Sequence, residues 1–331
     1  MIITRAPYRI SFLGGGTDVK DWYMGNGGGV ISAAIDKYVY VQLKEQYSFF
    51  PTDLHHRVIW RKIEKEKKIN NIKNPIVRAA YKFNKINSFY DCFYSGELPS
   101  MSGSGSSSAF TVALLKGLNE VKNINKNKFQ IFKDAVNVER VMIKEHGGIQ
   151  DQFRSALGGL SYMNINSKGI VKNVDLKINK MNVKKLENSL EVYFIRGSRS
   201  SSLLMHEHKL NINFNKILLK EMNELTKIGI KILNSNKKNF IREFSDLINA
   251  SWNIKKSFHK KVSSEKIDNI IKKSLSLGAF TGKLMGAGSS GFIFFLKNPD
   301  NNLNLNKHFK EVVGPLGIKF DSFGVKTIFK S

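Results

Sequence analysis

Apolar residues dominate the chain from Ile2 to Phe12, three glycines at Gly14, Gly15 and Gly16 interrupt them, and a β-rich pattern resumes from Val30 to Leu43. That succession predicts strand, tight turn, short helix and strand, so a sheet begins the fold. Asn74 to Asn84 has helical periodicity, and Phe89 to Tyr94 predicts a short aromatic strand just ahead of a loop of serines and glycines, Ser102 to Ser108. A helix is predicted from Ala109 to about Val121, with Phe110, Val112, Ala113, Leu114 and Leu118 on its buried side. A second helix, Lys128 to Glu145, ends at Gly147-Gly148, a natural C-terminal stop.

From Asn173 to Asn188 the pattern turns polar and lysine-rich, which places a domain boundary there and divides the chain into residues 1–180 and 181–331. The second part reads as a strand (Leu190 to Ile195), long amphipathic helices (Asn211 to Leu233 and Phe240 to Phe258) and a further helix (Glu265 to Leu277). A glycine turn from Gly286 to Gly291 then leads into a strand, Phe292 to Leu296; a helix near Leu305 to Val313 and a strand near Gly324 to Phe329 close the chain. The alternation predicts an α+β architecture in two domains.

Composition changes this picture little. A chain of 331 residues with 41% apolar and 24% charged residues is long enough for two cores, and no apolar run approaches the length needed to cross a bilayer. The start, Met1 to Arg5, has neither the basic stretch nor the apolar core of a signal peptide, so the cytoplasm is the expected compartment. With Cys92 alone, an intrachain disulfide and thiolate metal clusters are excluded. A net charge of +26 raises the question of nucleic acid, but the lysines are scattered and mixed with asparagine, as in Asn123 to Lys128 and Asn234 to Asn239, without a basic aromatic stripe. The charge suits anionic small substrates equally well.

Candidate chemistry concentrates at a few places. Gly103-Ser104-Gly105-Ser106-Ser107-Ser108-Ala109 stands immediately before a helix, where glycines let backbone amides approach an anion while hydroxyls and the helix N-terminus add donors. A serine-rich turn that merely caps the helix is the plain alternative, and no Gly-Lys-Ser/Thr completes a P-loop. Gly286-Ala287-Gly288-Ser289-Ser290-Gly291 fits G-x-G-x-x-G but precedes a strand, which is the wrong context for a dinucleotide fold. It reads as a tight turn or as backbone support for a bound phosphate.

Helical spacing puts Glu139 in the stripe of Phe129, Phe132, Val136 and Ile143. A carboxylate there needs a cation, either a metal or an arginine or lysine in a structural ion pair. Asp151 follows the expected helix end, where a loop can present a carboxylate to a cleft or simply cap a neighbour. Arg9 lies on the first strand, and Thr17-Asp18 follow the three glycines with acceptors suited to substrate hydroxyls. His55-His56 and His206-x-His208 lack zincin spacing and read as surface or substrate-side residues.

Taken in order, Ala6-Pro7-Tyr8-Arg9 through Gly16-Thr17-Asp18, Gly103 to Ala109, Glu139, Asp151-Gln152 and Lys283 to Gly291 resemble the GHMP kinase superfamily over nearly the whole chain, with all three glycine motifs represented. Within it, Arg9 to Asp18, Ala34 to Val39 and Ser251-Trp252 look most like the D-glycero-D-manno-heptose 7-phosphate kinases. The resemblance implies an N-terminal α+β domain with a left-handed βαβ unit, a ferredoxin-like C-terminal domain, and ATP and sugar in the cleft between them. It implies ATP and Mg2+ as cofactors, small molecules rather than nucleic acid or membrane as partners, with a homodimer left open, and transfer of phosphate to the anomeric hydroxyl of the heptose phosphate. Another sugar kinase of the superfamily, acting on fucose or a hexose, and a catalytically silent sugar or nucleotide sensor are the competing readings.

Position by position, the resemblance assigns Asp151 as catalytic base with Arg9 beside it, and Ser102, Gly103, Ser104, Gly105, Ser106, Ser107 and Ser108 to ATP. It assigns Ser107 and Glu139 to the metal, and Gly15, Gly16, Thr17, Asp18, Arg199, Gly286, Ala287 and Gly288 to the substrate side. Arg196, Arg199 with Ser200 and Ser201, Lys255 and Lys256 are candidates by charge for a sugar-phosphate clamp. Met101 and Ser104 stand where relatives usually have glycine and leucine, and Ser289-Ser290 where they have glycines; serine keeps such a turn possible but narrows its backbone freedom.

Overall fold

The computed structural model describes residues 1–47, 54–100, 102–196, 212–286, 288 and 290–331. Strand β1 (Ile2–Leu13) runs antiparallel to β2 (Gly28–Glu45), whose 18 residues carry the larger sheet. The N-terminal part of β2 pairs with β6 (Leu160–Ile165) and its C-terminal part with β5 (Tyr90–Gly96), so the sheet divides along one long strand. Beyond β5 lie β3 (His56–Ile59), parallel to it, and β4 (Ile63–Glu66); β7 (Val171–Asp175) continues from β6. The parallel β3–β5 pair is joined through helix α2 (Pro75–Phe83), because parallel neighbours need a crossover. Asn74 caps α2 by accepting from the Ile76 and Val77 amides, with Pro75 at the first helical position.

On this sheet pack α3 (Ser106–Val121) and α5 (Gln150–Leu157), with α4 (Lys128–Val136) laid against both helices. Helix α3 buries more than the predicted stripe, adding Ala109, Leu115 and Asn119, because it lies between the sheet and other helices. After α6 (Lys180–Asn188) the second sheet has the order β11-β8-β10-β9, made of β8 (Leu190–Ile195), β9 (Ala279–Leu284), β10 (Gly291–Lys297) and β11 (Val312–Leu316). Counted in chain order that is fourth, first, third, second, all antiparallel, the ferredoxin-like arrangement. Between β8 and β9 lie α7 (Ile212–Asn234), α8 (Phe240–Phe258) and α9 (Glu265–Ser276).

Two joints connect the sheets. Phe12 of β1 meets Phe244 of α8 at 5.7 Å and Phe294 of β10 at 5.5 Å between ring centroids, so one apolar core runs through both parts. The last strand, β12 (Lys326–Lys330), leaves the second part and pairs with β1 on the larger sheet. No described helix is long and apolar enough to cross a membrane.

Three predicted elements differ. The helix expected from Lys128 to Glu145 keeps α-helical form only to Val136 and then takes a π-helical turn from Asn137 to Met142. Asp151 lies not in a loop but in the first turn of α5. In place of a helix near Leu305 to Val313 there is a 3-10 turn, Leu305–Lys307, and then β11, because β8 offers a free edge and Val312-Val313 suit a strand.

Candidate active site

The sequence from β1 to its glycine turn sets one wall of the site. Arg9 is 3% exposed, and its guanidinium grips Asp151 as a fork, Nε to Oδ1 at 2.7 Å and Nη2 to Oδ2 at 2.8 Å. Its remaining nitrogen, Nη1, donates to the Gly103 carbonyl at 2.6 Å. One side chain therefore ties the first strand, the first turn of α5 and the serine–glycine loop together.

That loop is braced from two sides. Ser102 donates to the Pro99 carbonyl at 2.6 Å and its hydroxyl lies 3.0 Å from that of Ser104, so both serines turn inward. Ser104 thus finds a polar partner within its own loop. From behind, Gly103 and Gly286 meet backbone to backbone: a Cβ on Gly286 would lie 2.4 Å from Gly103 Cα. The Phe292 amide also donates to the Ser102 carbonyl at 3.0 Å. Gly105, half-buried with φ of 79°, opens α3 without a side-chain cap of its own, and a helix N-terminus favours an anion.

Glu139 is 1% exposed. The π-helical turn turns its carboxylate toward α3 and α5, where Oε2 accepts from Ser108 Oγ at 3.0 Å and Gln152 Nε2 at 2.7 Å, with Arg140 Nη1 at 3.5 Å. Oε1 is buried and has no hydrogen-bond partner among the described residues, the Thr111 hydroxyl offsetting only a little of the carboxyl's burial. Burial pushes the Glu139 carboxyl up to about 7, against the charge of Arg140 and with that of Glu145. A cation beside Oε1 would satisfy this oxygen and draw the group back to its ionised form, so the residue fits a magnesium ligand. No group of three His, Cys, Asp or Glu that could hold a metal occurs among the described residues, as suits an ion whose other ligands are phosphates and water.

Asp18 is 1% exposed beneath the N-terminus of α5, accepting from the Gly16 amide and the Gln150 amide, each at 3.0 Å. Its carboxyl is raised first by burial, with the Asp151 charge adding and the two amides opposing. Gly148 makes room for it: a Cβ there would sit 1.9 Å from Asp18 Oδ2. Arg140 holds the Gly148 carbonyl with Nε at 3.1 Å and Nη2 at 2.8 Å, fixing the strip between the π-helical turn and α5.

The structure brings Arg9, Asp151, Asp18, Glu139 and the Gly103 to Ser108 loop to one place. It corrects two assignments. Thr17 is fully buried, its hydroxyl bonded to the Gly14 and Gly29 carbonyls and the Gly29 amide, so it pins the turn and offers nothing to a sugar. The hydroxyl on Glu139 belongs to Ser108; Ser107 stands half-buried one position earlier, on another side of the helix. Gly15 and Gly16 form the turn over Asp18, while Gly286 and Gly288 pack against Gly103 and the Val262 carbonyl and act as supports. Ser106 is half-buried in the first turn of α3.

Of the clamp candidates, Arg199, Ser200 and Ser201 lie outside the described residues, as do Ala287 and Ser289 of the third glycine segment. Arg196 uses its amide on the Glu311 carbonyl, and Lys256 reaches Asp268 at 3.7 Å, away from the loop. Lys255 points to the Gly286 carbonyl. Gln152, Gly148 and Arg140 were not singled out as site residues by sequence reasoning; their positions carry no spacing signal, since their partners lie on other elements.

Comparison with known proteins gives a concordant result. Residues 74–159 match the profile of the GHMP kinases N terminal domain, and residues 232–308 that of the GHMP kinases C terminal domain. The chain is 28% identical over 98% of its length, and 98% of the relative's, to a D-glycero-alpha-D-manno-heptose 7-phosphate kinase of Campylobacter jejuni. A galactokinase of Thermotoga petrophila is 29% identical over 46% of this chain and 43% of its own. The crystal structure of a D-glycero-D-manno-heptose 1-phosphate kinase from Bacteriodes thetaiotaomicron has the same fold, with a TM-score of 0.72 at 21% identity over all of both chains. Lactococcus lactis galactokinase also shares the fold, with a TM-score of 0.70 at 15% identity over 98% of this chain and 94% of its own.

Proposed function

The chain belongs to the GHMP kinases, and from that premise we propose that it transfers the terminal phosphate of ATP to the anomeric hydroxyl of D-glycero-D-manno-heptose 7-phosphate. The observation that carries the reading is the Arg9 fork, which fixes a carboxylate beside a glycine–serine loop at a helix N-terminus. A base and a phosphate cradle held by one side chain suit phosphoryl transfer, where positioning and charge neutralisation supply most of the acceleration. The sugar class rests on similarity: the heptose 7-phosphate kinase matches along both whole chains, the galactokinase over less than half of each.

In this reading the amides of the Gly103 to Ser108 loop and the start of α3 hold the triphosphate. Asp151 takes the proton of the anomeric hydroxyl as its oxygen bonds to the γ-phosphorus and the bond from that phosphorus to the β–γ bridging oxygen breaks, releasing ADP. Arg9 keeps the Asp151 oxygens aimed and ties them to the loop. Asp18 orients the sugar through its hydroxyls. Glu139, with the Ser108 hydroxyl beside it, would hold magnesium, which would supply charge neutralisation for the transferred phosphate.

The test measures ADP release with ATP and magnesium against heptose 7-phosphate, unphosphorylated heptose, galactose and fucose, with Asp151→Asn as control. Turnover confined to heptose 7-phosphate and lost in the variant is expected. Preference for an unphosphorylated sugar would replace the substrate and keep the kinase, and nucleotide binding without turnover on any sugar would make the chain a sensor.

A further inference from the structure

We propose that Lys255 is a phosphate-binding residue of this site, placed to take an oxygen of the phosphoryl group as it passes from nucleotide to sugar. The inference rests on the kinase reading and adds to it a residue on α8. The Lys255 ammonium donates to the Gly286 carbonyl and, at 3.4 Å, to that of Leu284, and lies 5.5 Å from the centre of the Trp252 ring. Gly286 rests on Gly103, whose carbonyl accepts from Arg9 Nη1 at 2.6 Å. Lys255, Gly286, Gly103 and Arg9 are thus successive neighbours, and the series ends at Asp151.

Charge points the same way. The Arg9 fork is engaged by Asp151, and Lys283 donates to the Phe12 carbonyl at 2.7 Å and to Ser251 Oγ at 3.1 Å. Both described acceptors of Lys255 are neutral carbonyls, although an ammonium has three N–H groups. The charges that act on the two lysines are cationic: Arg9 on Lys255, and Lys255 with Arg9 on Lys283. Burial and then the charge of Arg9 bring Lys255 down to about 7, and Lys283 is lowered by burial, Lys255 and Arg9 in that order. Three basic groups around Asp151 repel one another when protonated, and a phosphate dianion beside Lys255 would offset that repulsion and restore its proton. The ligand is the transferred group rather than the sugar's own phosphate, because C1 and the 7-phosphate lie at opposite ends of a heptose and Lys255 adjoins the Arg9–Asp151 end.

The experiment is titration calorimetry with magnesium, using ADP and a non-hydrolysable ATP analogue on wild type, Lys255→Met and Lys255→Arg; a second arm uses heptose 7-phosphate and heptose. Expected is a loss of about 10- to 100-fold in analogue affinity for Lys255→Met, with ADP affinity unchanged, and partial recovery in Lys255→Arg. Equal losses for ADP and analogue would reduce Lys255 to a support of the Gly286 turn and overturn the proposal. A loss confined to heptose 7-phosphate, or no loss at all, would overturn it too. Wild-type protein that binds neither nucleotide would instead remove the kinase reading itself, and wild type that binds the analogue but no heptose would remove only the sugar.

Discussion

Two buried charges, fifteen residues apart in sequence, are handled in opposite ways. Arg154, fully buried in α5, donates to Ser32 Oγ, to the carbonyls of Gly158, Gly159 and Ser161, and to Ser161 Oγ. Burial still lowers it to about 9, with the charge of Asp175 opposing, but its hydrogen bonding is met within the protein. Glu139 has one oxygen held by Ser108 and Gln152 and the other with no hydrogen-bond partner among the described residues. A satisfied buried charge fixes a fold, whereas an unsatisfied one marks where a ligand completes the structure. Arg154 joins α5 to β2 and β6, and Glu139, on the π-helical turn, meets the same helix through Gln152.

The sharpest way to break this comparison is to exchange the consequences. Asp151→Asn should lower turnover by about 1,000-fold, since proton acceptance is lost, with a melting temperature lowered only as far as Arg9 misses its counter-charge. Arg154→Met should do the reverse, with a loss of about 3 kcal/mol in denaturant unfolding from several carbonyls left without donors, and little change in kcat/KM of the folded fraction. A variant of Arg154 that unfolds no more easily than wild type would refute the structural role given to it.

Next comes pH. The Glu139 carboxyl is raised from 4.5 to about 7 by burial, so between those values the folded chain binds a proton that the unfolded chain has released. Stability of the metal-free protein should therefore be greatest at the acid end of this window and fall as pH rises through 7, by about 3 kcal/mol from this residue. Asp18, raised in the same direction, adds to the slope. Urea titrations in the presence of a chelator at several pH values test this; Glu139→Gln should flatten the curve, and magnesium with nucleotide should lessen the fall in wild type. An unchanged slope in Glu139→Gln would show that the orphaned oxygen is not the cause.

The smallest effect is expected at Gly148. Its backbone is of ordinary φ, so only the close approach of Asp18 Oδ2 demands glycine. Gly148→Ala should push Asp18 from the Gln150 amide and raise the sugar KM by about tenfold, with kcat much less affected. Nucleotide affinity, measured alongside, should stay as in wild type, because the glycine–serine loop does not touch this residue.

Most of the elements are legible in the sequence. The run from Phe240 to Phe258 is the observed helix, the aromatic strand and the strand after Gly291 fall where the apolar pattern puts them, and the burial of Glu139 follows from its place in an apolar stripe. Where the pattern fails, a neighbour decides. Val312-Val313 pair with β8 instead of continuing a helix, and the chain past Val136 unwinds into a wider π-helical turn.

By itself the sequence determined the α+β alternation and the order of the glycine segments, because periodicity and turn chemistry act over a few residues. Its motifs also placed Arg9 beside Asp151 and marked Glu139 as a carboxylate that needs a partner. Only the tertiary structure decided the other contacts: that Arg9 also holds Gly103, that Ser108 and not Ser107 meets Glu139, that Thr17 is sealed in its turn, and that Lys255 lies beside Gly286 and near Arg9. Hydrogen bonds and charges act across a few ångströms between residues that can lie from a few dozen to more than a hundred positions apart, and no local pattern encodes such a distance.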